Sequence, residues 1–441
     1  MVRRIAGAEG GDVGKPCSGV VLYSMLGRRE FLATALSTVA YGVPAARIAG
    51  VGVVKYQGAR RTTTVLEVSS DKGPVGRSAP LESNVLKLLP EMMPKLREFL
   101  VGKDPLDRKL EFGAFWDLMH PGHPLRAFAG GIDPLTGKKI WGTIRGDRTS
   151  QTRHTPTGVE IIALTSVDNS LWDLRGKLLN EPVHRLVGKA RRERIPVYTR
   201  VAVYGDGRDL KEVRKQARAR YDQGGKTQKW YFLFGRSDGE EGFRANLEVV
   251  RTLREELPDA TLMFDNHSMR YEIGGDWVVR LAKAMLPYKP FWLEEPTAPE
   301  DLEGYRRIKG ETGITIAAGE HHYTRFLIQP FLESKCLDWV QSDPDWCGGI
   351  SEWLRICDLA RKHPGVRVVP HSTCILTDTQ CVASQPESLC PLIEYNVEQS
   401  VAIMSLRTPN LEPVAEVLTV PGNPGLGPDL DPAKCKAVAG S

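Results

Sequence analysis

Three acidic residues recur at regular intervals in the second half of the 441-residue chain: Asp265, Glu294 and Glu320. Each follows a short apolar run, and the spacing of about 26 to 29 residues fits one strand plus one helix. If the runs are parallel strands of a barrel, the three carboxylates meet at one mouth and repel each other unless a cation lies between them. Hard oxygen donors, and the absence of any C-x-x-C pair among eight cysteines, predict Mg²⁺ or Mn²⁺ as that cation.

A histidine and an aspartate end two later apolar runs. His371 follows residues 366–369, and Asp343 follows the run before it. A carboxylate beside an imidazole fixes the ring tautomer and raises its basicity, as a general base requires. The pair therefore predicts a catalytic base, although a lone histidine at this position could equally pack or cap a strand.

Three further histidines lie beside the predicted metal ligands. His267 comes two residues after Asp265, so alternation along an extended chain points both side chains the same way. It is a candidate acid or substrate contact, with a hydrogen bond to a ligand as the alternative. His321 and His322 follow Glu320 and point in different directions; His321 is favoured as the catalytic group, and His322 is kept as a candidate substrate contact.

Lys229 lies in the middle of the apolar run at residues 228–234. Inside a barrel it could act as a base or stabilise charge electrostatically, and outside it would be an ordinary solvated lysine. Tyr231 on the same run and Glu394 at the end of the last run are candidate substrate contacts.

The elements that must position these groups alternate between short apolar runs and amphipathic helices. Such alternation indicates a parallel sheet, and eight runs fit a closed barrel better than an open one. No G-x-G-x-x-G opens a helix, which disfavours a doubly wound nucleotide-binding sheet. The predicted strands are 195–203, 228–234, 261–264, 291–293, 315–318, 339–341, 366–369 and 392–393, with helices that include 244–256, 275–286, 301–312 and 352–362.

The first part of the chain predicts a separate α+β unit at residues 51–190. It contains a β-rich segment at 62–68, a helix at 84–100 that Pro90 and Pro94 should kink or split, a long loop at 120–150 and a strong helix at 158–179. The barrel is expected at 191–411. The Pro/Gly-rich tail at 412–441 is expected to pack back on the first unit.

Residues 1–50 are expected to be a leader. Arg28 and Arg29 begin a twin-arginine signature, and a short apolar run at 33–40 follows, which is typical of an export signal. A disordered leader, or a start at Met25, is the alternative. The net charge of +5 is spread along the chain without a basic tract, so neither a nucleic-acid partner nor a membrane partner is predicted.

At these residues the sequence resembles the mandelate racemase/muconate lactonizing enzyme family of the enolase superfamily. The motifs that carry the resemblance are SVDNSLWDL at 166–174 with Gly176 and Lys177, WLEEP at 292–296, and PG and PGLG at 421–427. The resemblance implies a (β/α)₇β TIM-like barrel with an α+β capping domain that the C-terminus completes, and bound Mg²⁺. It also implies that Glu294, the first glutamate of the Glu-Glu-Pro motif, is the ligand.

Within that family, GEHH at 319–322 and DWCGG at 345–349 are similar to acid-sugar dehydratases, L-rhamnonate dehydratase in particular. The resemblance implies that Asp343 and His371 form the family's Asp–His dyad, and that the histidine of Asp265-Asn266-His267 can be a general acid. The expected reaction removes the proton α to a carboxylate and eliminates the β-hydroxyl, giving a 2-keto-3-deoxy acid.

The chain departs from the family pattern at its second predicted strand. Racemase and cycloisomerase branches carry Lys-x-Lys there, whereas this chain has Lys229, Trp230 and Tyr231. The missing second lysine disfavours racemisation by two opposed bases. A racemase, epimerase or cycloisomerase and a non-catalytic sugar-acid binder stay open as alternatives, and a homo-oligomer is expected.

Overall fold

The structure is a computed structural model that describes residues 45–121, 158–188, 192–201, 209–266 and 272–438. The predicted leader up to residue 44, most of the 120–150 loop and His267 lie outside the described residues. Strand β1 begins at Ile48, so regular structure starts slightly before the expected end of the leader. No helix within the described ranges is long and apolar enough to cross a membrane.

The first unit is an antiparallel sheet covered by helices. Strands β1 (Ile48–Gly58), β2 (Thr62–Ser70) and β3 (Val75–Arg77) are followed by helices α1 (Ser83–Leu100), α2 (Phe112–Met119), α3 (Val159–Leu179) and α4 (Val183–Val187). The sheet order is β13-β1-β2-β3, with β13 (Cys435–Ala437) supplied by the end of the chain. The tail therefore pairs with this cap, and its strand β12 (Val417–Thr419) pairs with the first barrel strand.

Helix α1 is a single helix of 18 residues that contains both Pro90 and Pro94. The prolines were expected to kink or split this segment, and the split into two short pieces is wrong. The helix buries one continuous apolar face, which includes Val85, Leu89, Met92, Met93, Leu96 and Leu100. Burial of that face against the sheet and α3 outweighs the backbone hydrogen bonds that the prolines remove.

Eight parallel strands form the second unit, with helices between them. The strands are β4 (Arg194–Arg200), β5 (Thr227–Tyr231), β6 (Thr261–Asp265), β7 (Trp292–Glu294), β8 (Ile316–Ala318), β9 (Trp339–Val340), β10 (Arg367–Val368) and β11 (Ile393–Asn396). The helices that separate them are α5 (Leu210–Asp222), α6 (Gly239–Glu256), α7 (Gly275–Met285), α8 (Leu302–Thr312), α9 (Thr324–Glu333), α10 (Gly349–Ala360) and α11 (Ile375–Ala383), and α12 (Val397–Met404) follows β11.

The strands follow the order β10-β9-β8-β7-β6-β5-β4-β11, so the last strand returns to the side of the first. β10 and β11 share no strand ladder among the described residues, and Val368 instead donates to the carbonyl of Leu389, just before β11, at 2.8 Å. The predicted (β/α)₇β barrel with an α+β cap is confirmed. Short strands suffice because helices bury their outer faces.

The inside of the barrel is filled by a small apolar layer. Its members come from β4, from β6 to β9 and from the residue after β10, and they are Tyr198, Met263, Trp292, Ala317, Trp339 and Val369. The ring of Trp292 lies 5.3 Å from that of Tyr198 and 5.4 Å from that of Trp339. The barrel is therefore closed by packed side chains, as TIM-like barrels are, and its polar groups lie at the carboxyl ends of the strands.

Candidate active site

Polar side chains end the barrel strands and project over this apolar layer. Asp265 and Glu294 are the last residues of β6 and β7 and face each other across the strand ladder. Glu320 follows β8, Asp343 follows β9, His371 follows β10, and Glu394 lies in β11. Each of these six residues is at most 8% exposed, which is unusual for charged groups unless they are paired or bind a cation.

The layer below orients two of the carboxylates. The indole Nε1 of Trp292 donates to Glu294 Oε2 at 3.1 Å, and the hydroxyl of Tyr198 donates to Glu394 Oε2 at 2.8 Å. The other oxygen of each carboxylate, Glu294 Oε1 and Glu394 Oε1, makes no hydrogen bond with the apolar layer. The apolar interior thus fixes the position of the acids as well as excluding water from beneath them.

Lys229 lies at the centre of this acidic group and is completely buried. Its Nζ is 2.7 Å from Glu294 Oε1, 3.0 Å from Glu394 Oε2 and 3.5 Å from Asp265 Oδ2. Burial opposes the charge, but Glu294 and Glu394 outweigh it and raise the pKa of Lys229 well above its usual value. The lysine points inward and stays protonated, so it supplies positive charge and is a poor proton acceptor.

The metal-ligand candidates carry more negative charge than this lysine balances. Burial, and then the charge of Glu294, raise the pKa of Asp265 well above its usual value. Burial, with the charges of Glu394 and Glu320, raises the pKa of Glu294 to about 7 even though Lys229 opposes this. Crowded buried carboxylates of this kind are stabilised by a cation, and their hard oxygens suit Mg²⁺.

The closest groups of three donor atoms include only part of the predicted ligand set. Within the described ranges, two such groups have atoms within 4.8 Å of one another: Glu295, Glu320 and His321, and Asp343, Asp345 and Asp378. Glu320 belongs to the first, and Asp265 and Glu294 belong to neither. The carboxylates of Asp265 and Glu294 are instead held by Lys229 Nζ, which contacts both.

The predicted imidazole–carboxylate pair is formed. His371 Nδ1 lies 2.9 Å from Asp343 Oδ2, and that oxygen also accepts from the backbone N–H of Thr373 at 3.0 Å and from its hydroxyl at 2.6 Å. Asp343 thereby orients the ring so that Nε2 faces Glu320 Oε2 at 3.6 Å. Burial lowers the basicity of the ring, but the charges of Glu320 and Asp343 prevail and raise the pKa of His371 to about 10.

A second imidazole–carboxylate pair lies on the other side of Glu320. His321 Nδ1 is 2.9 Å and 3.0 Å from the two oxygens of Glu295, and 3.4 Å from Glu320 Oε1. Burial lowers the pKa of His321, but the hydrogen bond to Glu295 and the charge of Glu295 together have the larger effect, and the pKa is raised. The sequence did not assign Glu295 a role. Its φ of 41° is unusual for a non-glycine residue, and this turn aims the side chain at His321.

Trp346 lies over both imidazoles. Its ring centroid is 4.8 Å from that of His371 and 6.1 Å from that of His321, and its Nε1 donates to Glu82 of the cap at 3.0 Å. The cap therefore contributes to the wall of the site through this bond. No motif in the sequence indicated that Trp346 would lie between the two histidines, because the contact depends on the turn after β9.

The other candidate contacts are placed as follows. His322 is 2% exposed and packs its ring 4.3 Å from that of Phe331 in helix α9, and burial lowers its pKa to about 4. Tyr231 is partly buried, with the guanidinium of Arg200 5.4 Å from its ring centroid. His322 thus faces the helical layer, whereas Tyr231 stays near the carboxylates through its pairing with Asp265.

Comparison with known proteins identifies the family. Residues 212–434 match the family model described as enolase C-terminal domain-like. The chain is 32% identical over 284 residues to an L-rhamnonate dehydratase from Saccharopolyspora erythraea, covering 62% of this chain and 68% of that protein.

Solved structures show the same fold at lower identity. The 3,6-anhydro-D-galactonate cycloisomerase from Zobellia galactanivorans aligns with a TM-score of 0.67 and 23% identity, over 88% of this chain and 98% of that one. A member of the enolase superfamily from Salmonella Typhimurium aligns with a TM-score of 0.69 and 19% identity, over 89% and 99% of the two chains. The chain belongs to the mandelate racemase/muconate lactonizing enzyme family of the enolase superfamily and has acid-sugar dehydratases among its relatives.

Proposed function

We propose that the protein is a Mg²⁺-dependent dehydratase of a sugar acid, an aldonate or an aldarate. The observation that carries the proposal is the Asp343–His371 pair, which aims an imidazole nitrogen at Glu320 in the middle of the acidic mouth. The relationship to an L-rhamnonate dehydratase supports a sugar acid as the substrate class.

The proposed metal ligands are Asp265, Glu294 and Glu320. Their buried, mutually repelling carboxylates fit a divalent cation, and when bound it would stabilise the negative charge that develops on the substrate carboxylate. Lys229 is proposed to support the same charge and to hold Glu294 and Glu394 in place, since its Nζ contacts both.

The proposed base is His371. Because Nδ1 bonds to Asp343, Nε2 is the atom that takes the proton α to the substrate carboxylate. The ring must be neutral to accept it, and a cation held by Glu320 would offset the negative charge that does most to raise the pKa of His371. The electron pair of the broken C–H bond moves into the carboxylate and then returns to expel the β-hydroxyl, which leaves as water after protonation. The enol that forms becomes a 2-keto-3-deoxy acid.

The proposed acid is His321 or His267. Burial lowers the pKa of His321, but the hydrogen bond to Glu295 outweighs this and raises it, which favours a protonated ring that can pass its proton to the leaving hydroxyl. His267 follows the proposed ligand Asp265 by two residues and keeps the role that the sequence predicted. Glu394 and Tyr231 are proposed to contact the substrate, as is His322, although its packing against Phe331 makes it the weakest of the three.

The reaction is tested with a library of sugar acids. Purified protein is incubated with each acid and Mg²⁺, and keto-acid formation is read by carbonyl derivatisation. The proposal predicts a 2-keto-3-deoxy product from at least one acid and no product after chelation. Failure of the entire library with Mg²⁺ present would remove the dehydratase assignment.

An epimerase or cycloisomerase is the second candidate, favoured by the fact that the same base and acidic mouth suffice for α-proton removal. Racemisation between two opposed bases is disfavoured, because Lys229 is buried and ion-paired. Deuterium incorporation at the α-carbon without loss of water would favour this second candidate. A non-catalytic sugar-acid binder would give neither signal.

Two further properties are proposed on the sequence alone. Arg28 and Arg29 support export by the twin-arginine route, which N-terminal sequencing of the mature protein tests. A homo-oligomer is proposed by analogy with enzymes of this architecture, and light scattering of the purified protein tests it.

A further inference from the structure

Three aspartates form a buried cluster behind the Asp343–His371 pair. One carboxylate oxygen from each of Asp343, Asp345 and Asp378 lies within 4.8 Å of the others. Asp343 and Asp378 are completely buried and Asp345 is 5% exposed. The first two residues of the cluster belong to the turn after β9, and Asp378 lies in the first turn of α11. The reaction proposed above uses only Asp343.

Hydrogen bonds account for one side of this cluster. Asp343 directs Oδ2 to His371 and Thr373, and among the described residues its Oδ1 accepts one hydrogen bond, from the backbone N–H of Asp345 at 2.7 Å. Asp345 directs Oδ1 to the amide of Asn169 at 2.8 Å and to the hydroxyl of Thr377 at 3.1 Å. One lone-pair direction of Asp343 Oδ1 therefore remains available on the side where Asp345 and Asp378 lie.

The opposite side of the cluster lacks donors. Asp345 Oδ2 and both oxygens of Asp378 accept no hydrogen bond of standard geometry from any residue that the structure describes. Burial and the charges of Asp343 and Asp345 raise the pKa of Asp378 well above its usual value, and the nearby hydroxyl of Ser372 opposes them only weakly. Buried carboxylate oxygens without a partner are costly and are rarely left so, which points to a ligand between them.

We propose that Asp343, Asp345 and Asp378 bind a second divalent cation, separate from the strand-end site. Oxygens bonded to one ion at about 2.0 to 2.6 Å span at most about 5 Å, which matches the observed spread of the three atoms. No lysine or arginine in the described ranges forms an ion pair with Asp345 or Asp378. A divalent ion would leave the three carboxylates with one net negative charge, which faces His371.

Such an ion has a clear structural role. It links the turn after β9 to helix α11 and holds Asp343 by Oδ1, so that Oδ2 stays directed at His371. Because all three ligands are buried, the ion enters during folding and exchanges slowly with solvent. The competing arrangement has Asp345 and Asp378 protonated, with a carboxyl hydrogen bond in place of the metal.

Ion counting separates these arrangements without reference to the reaction. Protein is refolded and dialysed to equilibrium in excess Mn²⁺, and bound manganese is measured by atomic emission. The proposal predicts two ions per chain for the wild type, one for Asp378→Asn and one for Asp265→Asn. The exposed control Asp259→Asn should keep both. If the wild type binds one ion per chain and Asp378→Asn also binds one, the proposal is overturned.

A crystallographic measurement keeps the test decisive if Asp378→Asn does not fold. Wild-type crystals grown with Mn²⁺ should give an anomalous difference peak between the three carboxylates as well as one at Asp265 and Glu294. Water, or direct contact between two carboxyl groups at that point, would show that the cluster holds protons instead of a metal.

Discussion

His371 Nδ1 and Asp343 Oδ2 lie 2.9 Å apart across two neighbouring strand ends, and Thr373 holds the same carboxylate oxygen with two further hydrogen bonds. The imidazole is thus oriented before any substrate binds, since the carboxylate cannot turn without breaking all three bonds. A matching pair, His321 with Glu295, lies on the other side of Glu320. The two imidazoles flank one proposed metal ligand, which is the geometry that separate base and acid roles require.

The proposed metal ligands predict a change in stability on Mg²⁺ binding. At about 100 times the dissociation constant of the strand-end site, Mg²⁺ bound at that site should stabilise the folded wild-type protein by about 2.7 kcal/mol. Asp265→Asn and Glu294→Gln should lose most of this gain, and the exposed control Glu300→Gln should keep it. Thermal unfolding over a Mg²⁺ titration measures the effect. An undiminished shift in both ligand variants would place the strand-end metal elsewhere.

Lys229→Met tests the balance of charge in the mouth. Removing the buried ammonium leaves Glu294 and Glu394 unpaired, so without Mg²⁺ we expect the free energy of unfolding to fall by about 3 to 5 kcal/mol. Saturating Mg²⁺ should recover part of that loss, because the cation replaces the missing positive charge.

Chemical denaturation with and without Mg²⁺ provides the measurement. Lys226→Met is the matched control, since Lys226 is exposed just before the same strand and should change stability by less than about 0.5 kcal/mol. Equal losses for Lys229→Met in both conditions would show that the lysine acts independently of the metal.

Glu295→Gln tests whether Glu295 keeps His321 protonated. The carboxylate raises the pKa of His321, so its removal should lower that pKa and shift the alkaline limb of the kcat profile to lower pH. His321→Asn should lower kcat by about 10² to 10⁴-fold if this ring is the acid. If His321→Asn keeps full activity, His267 takes the role, and His267→Asn provides the direct comparison.

His322 predicts a pH dependence of stability. Burial, followed by the charge of His321, lowers the folded pKa of His322 to about 4 from its usual 6.5. Between these two pKa values His322 binds a proton in the unfolded chain but not in the folded chain. The contribution of neutral His322 to the free energy of unfolding is therefore fully present above pH 6.5 and is lost as the pH falls toward 4. Between neutral pH and about pH 4.5 this amounts to roughly 2 to 3 kcal/mol.

His322→Leu removes the titrating imidazole and places an apolar side chain against Phe331 instead. Urea unfolding of both proteins at the two pH values gives the comparison. The variant should lose less stability on acidification than the wild type. The same loss in both proteins would mean that other groups, such as the buried acids, account for the entire dependence.

The sequence predicted most of the barrel because its signals are local. Each apolar run at a strand lies next to its polar strand end, so Asp265, Glu294, Glu320, Asp343 and His371 could be named from spacing and motif. The possible split of helix α1 at its prolines was wrong, because packing of its buried face holds one helix together across Pro90 and Pro94.

Other features of the site depend on distances that no local pattern encodes. Glu295 meets His321 only because the backbone turns to a positive φ after β7, and Trp346 reaches both imidazoles from the turn after β9. The approach of Asp378 to Asp343 joins residues from a helix and a turn. Such contacts require the closed barrel, and nothing in the local sequence indicates them beyond the residue types.

If His371 removes the proton α to a carboxylate, elimination of water should follow and should depend on this imidazole. Proton NMR tests this with a sugar acid that the library screen identifies, incubated in D₂O with Mg²⁺ and either wild-type protein or His371→Asn. We expect a 2-keto-3-deoxy product with the wild type, and neither product nor α-deuteration with a folded, metal-binding His371→Asn protein. Keto-acid formation by that variant at the wild-type rate would show that His371 is not the base.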